Sequence, residues 1–114
     1  MRVLIVLAHP MRGSFCTALA DAVGTGVQAA GGQADLCDLG VEGFQPVMQP
    51  QDMSQFTGED PPEDIEAHMA RVEAAQALVF VFPVWWWSVP AVLKGWCDRV
   101  LRVKWAWSDE ATRP

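Results

Sequence analysis

Residues 80–100 read FVFPVWWWSVPAVLKGWCDRV. The stretch opens on an apolar run, breaks at Pro83, passes through Trp85, Trp86 and Trp87, and restarts with helical spacing. The run begins earlier, at Ala77, and residues 77–82 (ALVFVF) carry no polar side chain. A continuous apolar run of that length, bounded by a proline, predicts a strand buried on both faces, as in parallel sheets. After the loop, Ser88 is a candidate N-cap and Pro90 suits a first helical turn. Val92 or Leu93, Trp96 and Val100 then share the inward face, and Lys94 and Asp98 sit four apart on the outer one. All six tryptophans lie between Trp85 and Trp107. Each indole N–H needs a partner when buried, so three in succession in a loop are poor core filling. They suit a flat apolar surface for a planar aromatic ligand. The plainer alternatives are packing against another loop or a dimer contact.

Working outward, residues 2–8 (RVLIVLA) form another continuous, β-branched run and predict a second buried strand. His9-Pro10-Met11-Arg12-Gly13 reads as a loop, and Ser14 as the N-cap of a helix over residues 15–30. Leu19, Val23 and Val27 give that helix an apolar stripe, and Gly31-Gly32 ends it. Residues 33–39 (QADLCDL) predict a more polar strand at a sheet edge. Strand, helix and strand in this short space make a βαβ unit. Residues 40–62 hold no sustained period; Phe44, Val47, Met53 and Phe56 are isolated apolar anchors, with a helical turn near 51–56. A helix follows over 63–75, with Ile65, Met69 and Val72 buried and His68 at its surface. Asp109 and Glu110 fall in an unpatterned tail.

At 114 residues, one domain over residues 1–114 is expected. With 51% apolar residues the chain can build a core. A net charge of −6 argues against a nucleic-acid surface. No apolar run approaches the ~20 residues that span a bilayer. Cys16, Cys37 and Cys97 form no CxxC and show no metal-ligand spacing, which fits reduced thiols in the cytoplasm. Residues 3–7 run directly into His9-Pro10, so no signal peptide is expected.

The order β-α-β-excursion-α-β-loop-α predicts a doubly wound α/β sheet. The two most apolar strands should be neighbours and the polar one outside the first, giving the spatial order 2-1-3. Ligands in such sheets bind beyond the carboxyl ends of the strands, where connections leave to opposite faces. The loop at residues 9–16 and the tryptophan loop should meet there. The first offers a helix start, a hydroxyl and an imidazole to an anion. It is neither a GxGxxG nor a GxxxxGK[ST] loop. Together the loops fit a ligand with a phosphate at one end and a planar ring at the other.

RVLIVLAHPMRGSFCTALADAV and LVFVFPVWWWSVPAVLKGWCDRV resemble the flavin-dependent NAD(P)H:quinone oxidoreductases, which have a flavodoxin-like fold. The resemblance extends through DLGVEGFQPV to the acidic stretch at Glu63. It implies that His9, Ser14 and Phe15 belong to the loop around the flavin phosphates. Cys16 shares that loop and stands where many members have Asn. It implies that Pro83, Val84, Trp85, Trp86 and Trp87 lie along the flavin ring, with backbone groups bonded to its polar atoms. Lys94, Gly95, Trp96 and Asp98 match a signature helix and read as structural. The implied activity is hydride transfer from NAD(P)H through a bound FMN or FAD to a quinone-type acceptor, in a protein that is usually a homodimer.

Members of that family are longer, and a flavodoxin-like sheet takes two more strands. The chain therefore reads as the N-terminal part of the fold, with an unpaired apolar edge on its third strand. The alternatives are a flavin-binding electron-transfer module, a regulatory partner of an ion-efflux system, and an inactive truncated fragment.

Overall fold

The computed structural model describes residues 1–107; Asp109 and Glu110 lie outside them. β1 (Arg2–Leu7) is central, with β2 (Gln33–Asp38) on one side and β3 (Ala77–Val81) on the other, all parallel. The expected order 2-1-3 and the edge position of the polar strand are borne out. Leu7 lies opposite Asp38 and Val81, so the three strands end level and their exits form one rim.

Because β1 is flanked on both sides, its residues are buried on both faces. Val3, Ile5 and Leu7 pack with Cys16 and Ala20 of α1 (Phe15–Ala29). Leu4, Val6 and Ala8 pack on the opposite face with Ile65 of α2 (Glu63–Ala74) and Leu93, Trp96 and Val100 of α3 (Ala91–Val100). The chain moves from β1 outward to β2, then back across β1 to β3. Two crossovers of one hand in opposite directions place their helices on opposite faces.

Ser14 caps α1 as expected, its Oγ accepting the Thr17 N–H at 3.1 Å. At the other end Gly31 takes a positive φ of 82°, and its N–H and that of Gly32 bond to the carbonyls of Gln28 and Val27. This is the Schellman ending that a left-handed residue permits. The buried stripe differs from the expected one. Leu19 is 43% exposed, and Cys16 and Ala20 are buried with Val23 and Val27 behind them. Small side chains let the helix lie close to the sheet, and hydrophobicity alone does not mark them.

Ser88 does not cap the last helix; Pro90 is its N-cap, and Ser88 instead closes the tryptophan turn. Leu93, Trp96 and Val100 face inward as expected, and Lys94 Nζ bonds Asp98 at 2.6 Å.

Residues 40–62 are held differently from the expectation. Of the four apolar anchors only Phe44 packs on the core; Val47, Met53 and Phe56 are exposed. The segment is tied down by polar groups on a 3₁₀ helix (Pro50–Phe56). Asp52, Ser54 and Gln55 are buried there. Arg99, 2% exposed, donates to Asp52 Oδ2 at 2.9 Å, the Gln45 carbonyl at 2.8 Å and Asp64 Oδ2 at 2.9 Å. Arg102 donates to Ser54 Oγ at 3.0 Å, and Gln55 Oε1 accepts the Val103 N–H at 3.2 Å. A guanidinium has five donors in a rigid fork, so one buried arginine can join three segments.

β3 has a partner on one side only among the described residues, and Leu78 and Phe80 are 37% and 38% exposed. The expected apolar open edge is present.

Candidate functional site at the strand exits

The rim formed by the strand ends carries a cavity of about 520 Å³. Residues 8–10 leave β1 on one side, 39–40 and 43–46 leave β2 on another, and Trp85 with residues 90–92 closes it from β3 and α3. This volume lies in the range of small-molecule sites. The surroundings are mostly apolar, from Leu39, Phe44, Pro46, Pro90 and Val92.

Two of the expected site residues meet here. The rings of His9 and Trp85 lie 6.1 Å apart, inclined at 59°. His9 Nδ1 accepts the Met11 N–H at 3.0 Å. In the neutral ring that bond assigns the proton to Nε2, which has no hydrogen-bond partner among the described residues. Beyond His9 a smaller recess, bordered by Arg12 and Asp38, leads from the same loop. Asp38 is spoken for, since its Oδ1 accepts the N–H groups of Gly40 and Val41 at 3.1 Å.

Ser14, Phe15 and Cys16 form the start of α1 and do not line the cavity. Phe15 is 77% exposed and Cys16 is buried against the sheet. Ser14 uses its Oγ on Thr17 and its carbonyl on Ala18, so the N–H groups of Phe15 and Cys16 have no partner among the described residues. These are the donors a helix start offers to an anion.

The tryptophan loop is a four-residue turn. Trp85 and Ser88 exchange both backbone hydrogen bonds, at 3.0 and 3.1 Å. Trp86 and Trp87 between them have φ of 51° and 62°. Positive φ at both central positions is the type I′ pattern, usually built from Asn and Gly. Their side chains are 93% and 94% exposed. The three indoles are therefore not one wall. Trp85 borders the cavity, and the other two project from the turn beside it, with Val84 exposed and Pro83 half-buried before them.

The cavity's second wall, residues 43–46, is absent from the site read in the sequence. Gly95 of α3 is its backing: a Cβ there would overlap the carbonyl oxygen and Cβ of Pro46. The available signal was the spacing of Ala91, Gly95 and Arg99, four apart on one helix face.

His68 is not a surface residue. It is half-buried, and its Nδ1 accepts the Trp96 indole N–H at 3.2 Å. Burial, the largest cause, holds its pKa below the usual histidine range. Cys37 Sγ lies 3.8 Å from the same nitrogen, and Glu42 completes a Cys-Glu-His group that the sequence spacing concealed. Its donor chemistry does not suit a cation. Trp96 occupies His68 Nδ1, Arg71 Nη1 holds Glu42 at 2.8 Å, and burial pushes the Cys37 thiol up to about 12. The group joins β2 to α2 and α3. Arg71 also grips Asp35 through both carboxylate oxygens, at 2.9 and 3.0 Å, and holds its pKa down.

A family model for the flavodoxin-like fold matches residues 1–114. The chain is 36% identical over 110 residues to YcaK, an uncharacterised NAD(P)H oxidoreductase of Escherichia coli, covering 95% of this chain and 56% of that protein. It is 36% identical over 118 residues to NAD(P)H dehydrogenase (quinone) 1 of Rattus norvegicus, covering 88% of this chain and 43% of the other. The solved NAD(P)H:quinone oxidoreductase from Methanothermobacter marburgensis superposes with a TM-score of 0.83 at 37% identity, over 90% of this chain and 54% of that one. The chain thus spans about half the length of the curated relatives it matches. The resemblance read from the two motifs is borne out, and the chain belongs to the flavodoxin-like fold family.

Proposed function

We propose that this chain is the N-terminal flavin-binding part of an NAD(P)H:quinone oxidoreductase. The observation that carries the proposal is the meeting of His9 and Trp85 at the common exit of β1 and β3. It joins the loop that leads into the start of α1 to the tryptophan turn.

The residues fit a flavin nucleotide. The free N–H groups of Phe15 and Cys16, with Nε2 of His9, supply donors for a phosphate. Ser14 holds the helix start in place. Pro83, Val84 and Trp85 offer backbone along a planar ring, and the N–H groups of Trp86 and Trp87 have no partner among the described residues. The exposed faces of Trp86 and Trp87 give planar reactants apolar surface and exclude water. A bound flavin supplies the hydride transfer from NAD(P)H to a quinone-type acceptor. The relatives named as NAD(P)H oxidoreductases and quinone reductases support this reading.

Equilibrium titration with FMN and with FAD, followed by quenching of tryptophan emission, tests the proposal and separates the two flavins. Saturable binding of one, with oxidation of NADH or NADPH by a soluble quinone, is the expected result. Saturable binding without turnover would instead support an electron-transfer module. Folded protein that binds neither flavin would overturn both. A homodimer is part of the same proposal, motivated by the open apolar edge of β3. Sedimentation at twice the chain mass is expected.

A further inference from the structure

We infer that His68 is a proton-operated latch on the cavity wall. Neutral, it accepts the Trp96 indole N–H. Protonated, it releases that bond, turns to Glu42 and draws residues 42–44 with it.

His68, on α2, stands where β2, the excursion and α3 meet. Its Nδ1 accepts the Trp96 N–H at 3.2 Å and lies 3.8 Å from Cys37 Sγ. A ring nitrogen of His68, Cys37 Sγ and a Glu42 carboxylate oxygen lie within 4.8 Å of one another. The Phe44 ring packs against the imidazole edge-on, with centroids 5.0 Å apart and planes at 74°. Gly43 and Phe44 border the cavity. One imidazole therefore touches a core tryptophan and the back of the cavity wall.

Protonation cannot leave this arrangement unchanged. An imidazolium carries an N–H on both nitrogens and has no acceptor. Its Nδ1–H and the Trp96 N–H would be two donors facing each other across 3.2 Å. Glu42 is an acceptor of opposite charge already within reach. It is held by Arg71 Nη1 at 2.8 Å, but Arg71 also grips both oxygens of Asp35 and is not left unpaired when Glu42 is shared.

The charged and titratable groups around the ring set where the latch works. They are Asp35 and Cys37 of β2, Glu42 of the excursion, Asp64 and Arg71 of α2, and Arg99 of α3. Burial and Arg71 disfavour the cation more than Glu42 and Asp64 favour it, so the neutral state holds at pH 6.5 and the latch responds to acid below that. The surroundings also decide what moves. Trp96 is fully buried in the core, and Cys37 is fixed in β2. Residues 42–44 belong to no strand or helix, and Gly43 stands between Glu42 and Phe44 at a φ of 67°. The displacement therefore falls on the wall. A ligand that prefers one position of Phe44 would then bind with pH-dependent affinity and shift the proton affinity of His68 by the same factor.

The test is nuclear magnetic resonance of the isotope-labelled full chain, without ligand, from about pH 7.5 to about pH 4.5. The His68 ring signals, the Trp96 indole N–H and the backbone amides of Glu42, Gly43 and Phe44 should shift with one common midpoint. Glu42→Gln removes the charge that receives the imidazolium. Its His68 midpoint should move to lower pH, and the amides of residues 43 and 44 should cease to follow the ring. Glu42 is partly exposed, so this variant is expected to keep the fold. His68→Gln is the independent check: it keeps an acceptor for Trp96 and should abolish the shared transition. A ring that stays neutral throughout, a titrating ring that leaves the Trp96 N–H or the wall amides unmoved, or a Glu42→Gln midpoint equal to the parent's overturns the inference. None of these signals depends on a flavin, so the proposed function stands or falls separately.

Discussion

Replacing Trp86 and Trp87 together by glycine should stabilise the protein while weakening its ligand. Both residues occupy positive φ, at 51° and 62°. An L-residue with a Cβ pays about 1–2 kcal/mol to sit there. Glycine removes that cost and brings about 0.5–1 kcal/mol of extra unfolded-state entropy. The net gain is about 0.5–1 kcal/mol per site, or about 1–2 kcal/mol for the pair. No burial is lost in exchange, because the side chains are 93% and 94% exposed. For a domain of this size the gain corresponds to a rise in Tm of roughly 3–12 °C. Thermal unfolding followed by far-UV circular dichroism measures it. Trp85→Gly is the internal control: Trp85 has no positive φ and touches His9, so that change should destabilise. Flavin titration of the double variant supplies the second half. Loss of two aromatic faces at about 0.5–1.5 kcal/mol each, about 1–3 kcal/mol together, weakens Kd by roughly 5- to 150-fold. A double variant that melts below the parent would refute the strain argument. One that melts higher and binds flavin as tightly as the parent would refute the role of the indoles.

Asp52→Asn should destabilise by about 3–5 kcal/mol, a large share of a small domain's stability, because it leaves the 2%-exposed Arg99 with a single, half-exposed carboxylate; chemical denaturation measures it. Gly26→Ala should stabilise by about 1 kcal/mol, since Gly26 is helical and an added Cβ meets nothing within 4 Å; the same melts read it. His68 should make stability fall as pH drops below about 6.5. Its folded pKa is depressed, so the unfolded chain takes up a proton first and the loss continues down to the folded pKa. His68→Gln, which keeps an acceptor for Trp96, should flatten that limb in urea titrations at pH 5–7. Asp35, also depressed, adds a lower limb: its contribution is complete above about pH 4 and is lost as pH falls through its folded value. Asp35→Asn should remove it.

Burial on both faces leaves a plain mark in sequence, and this is why β1 was legible; β3 carries the same continuous apolar run and its place beside β1 was read from it, although Leu78 and Phe80 leave one of its faces partly exposed. Neither run has a polar face to point at water, so each belongs inside a sheet, and QADLCD, more polar, belongs at an edge. Segments held by small or polar side chains leave no such mark. Leu19 outscores Cys16 and Ala20 in hydrophobicity, yet the latter face the sheet because they permit closer approach. Asp52 reads as a loop carboxylate until its partner is known, and Arg99 lies 47 residues away. The same holds for His68, whose burial depends on Trp96 and Cys37. Polar burial is a property of a pair, so it cannot be read from one position.

The candidate site divides along the same line. The His9 loop and the tryptophan loop were legible because each breaks a local rule, and the topology brought their ends together. The wall at residues 43–46 follows every local rule for a loop and owes its place to a glycine and an arginine on another element. Backbone strain alone does not mark a site. Lys104 also has a positive φ, of 65°, and lies away from the rim. What distinguishes Trp86 and Trp87 is strain combined with nearly complete exposure of large apolar rings at the exit of a parallel strand. A fold selected for stability alone would place glycine or asparagine in that turn and indoles in the core. Both preferences are violated at the same two residues, and apolar surface laid against the turn, from a planar ligand or from a partner chain, would offset both costs together.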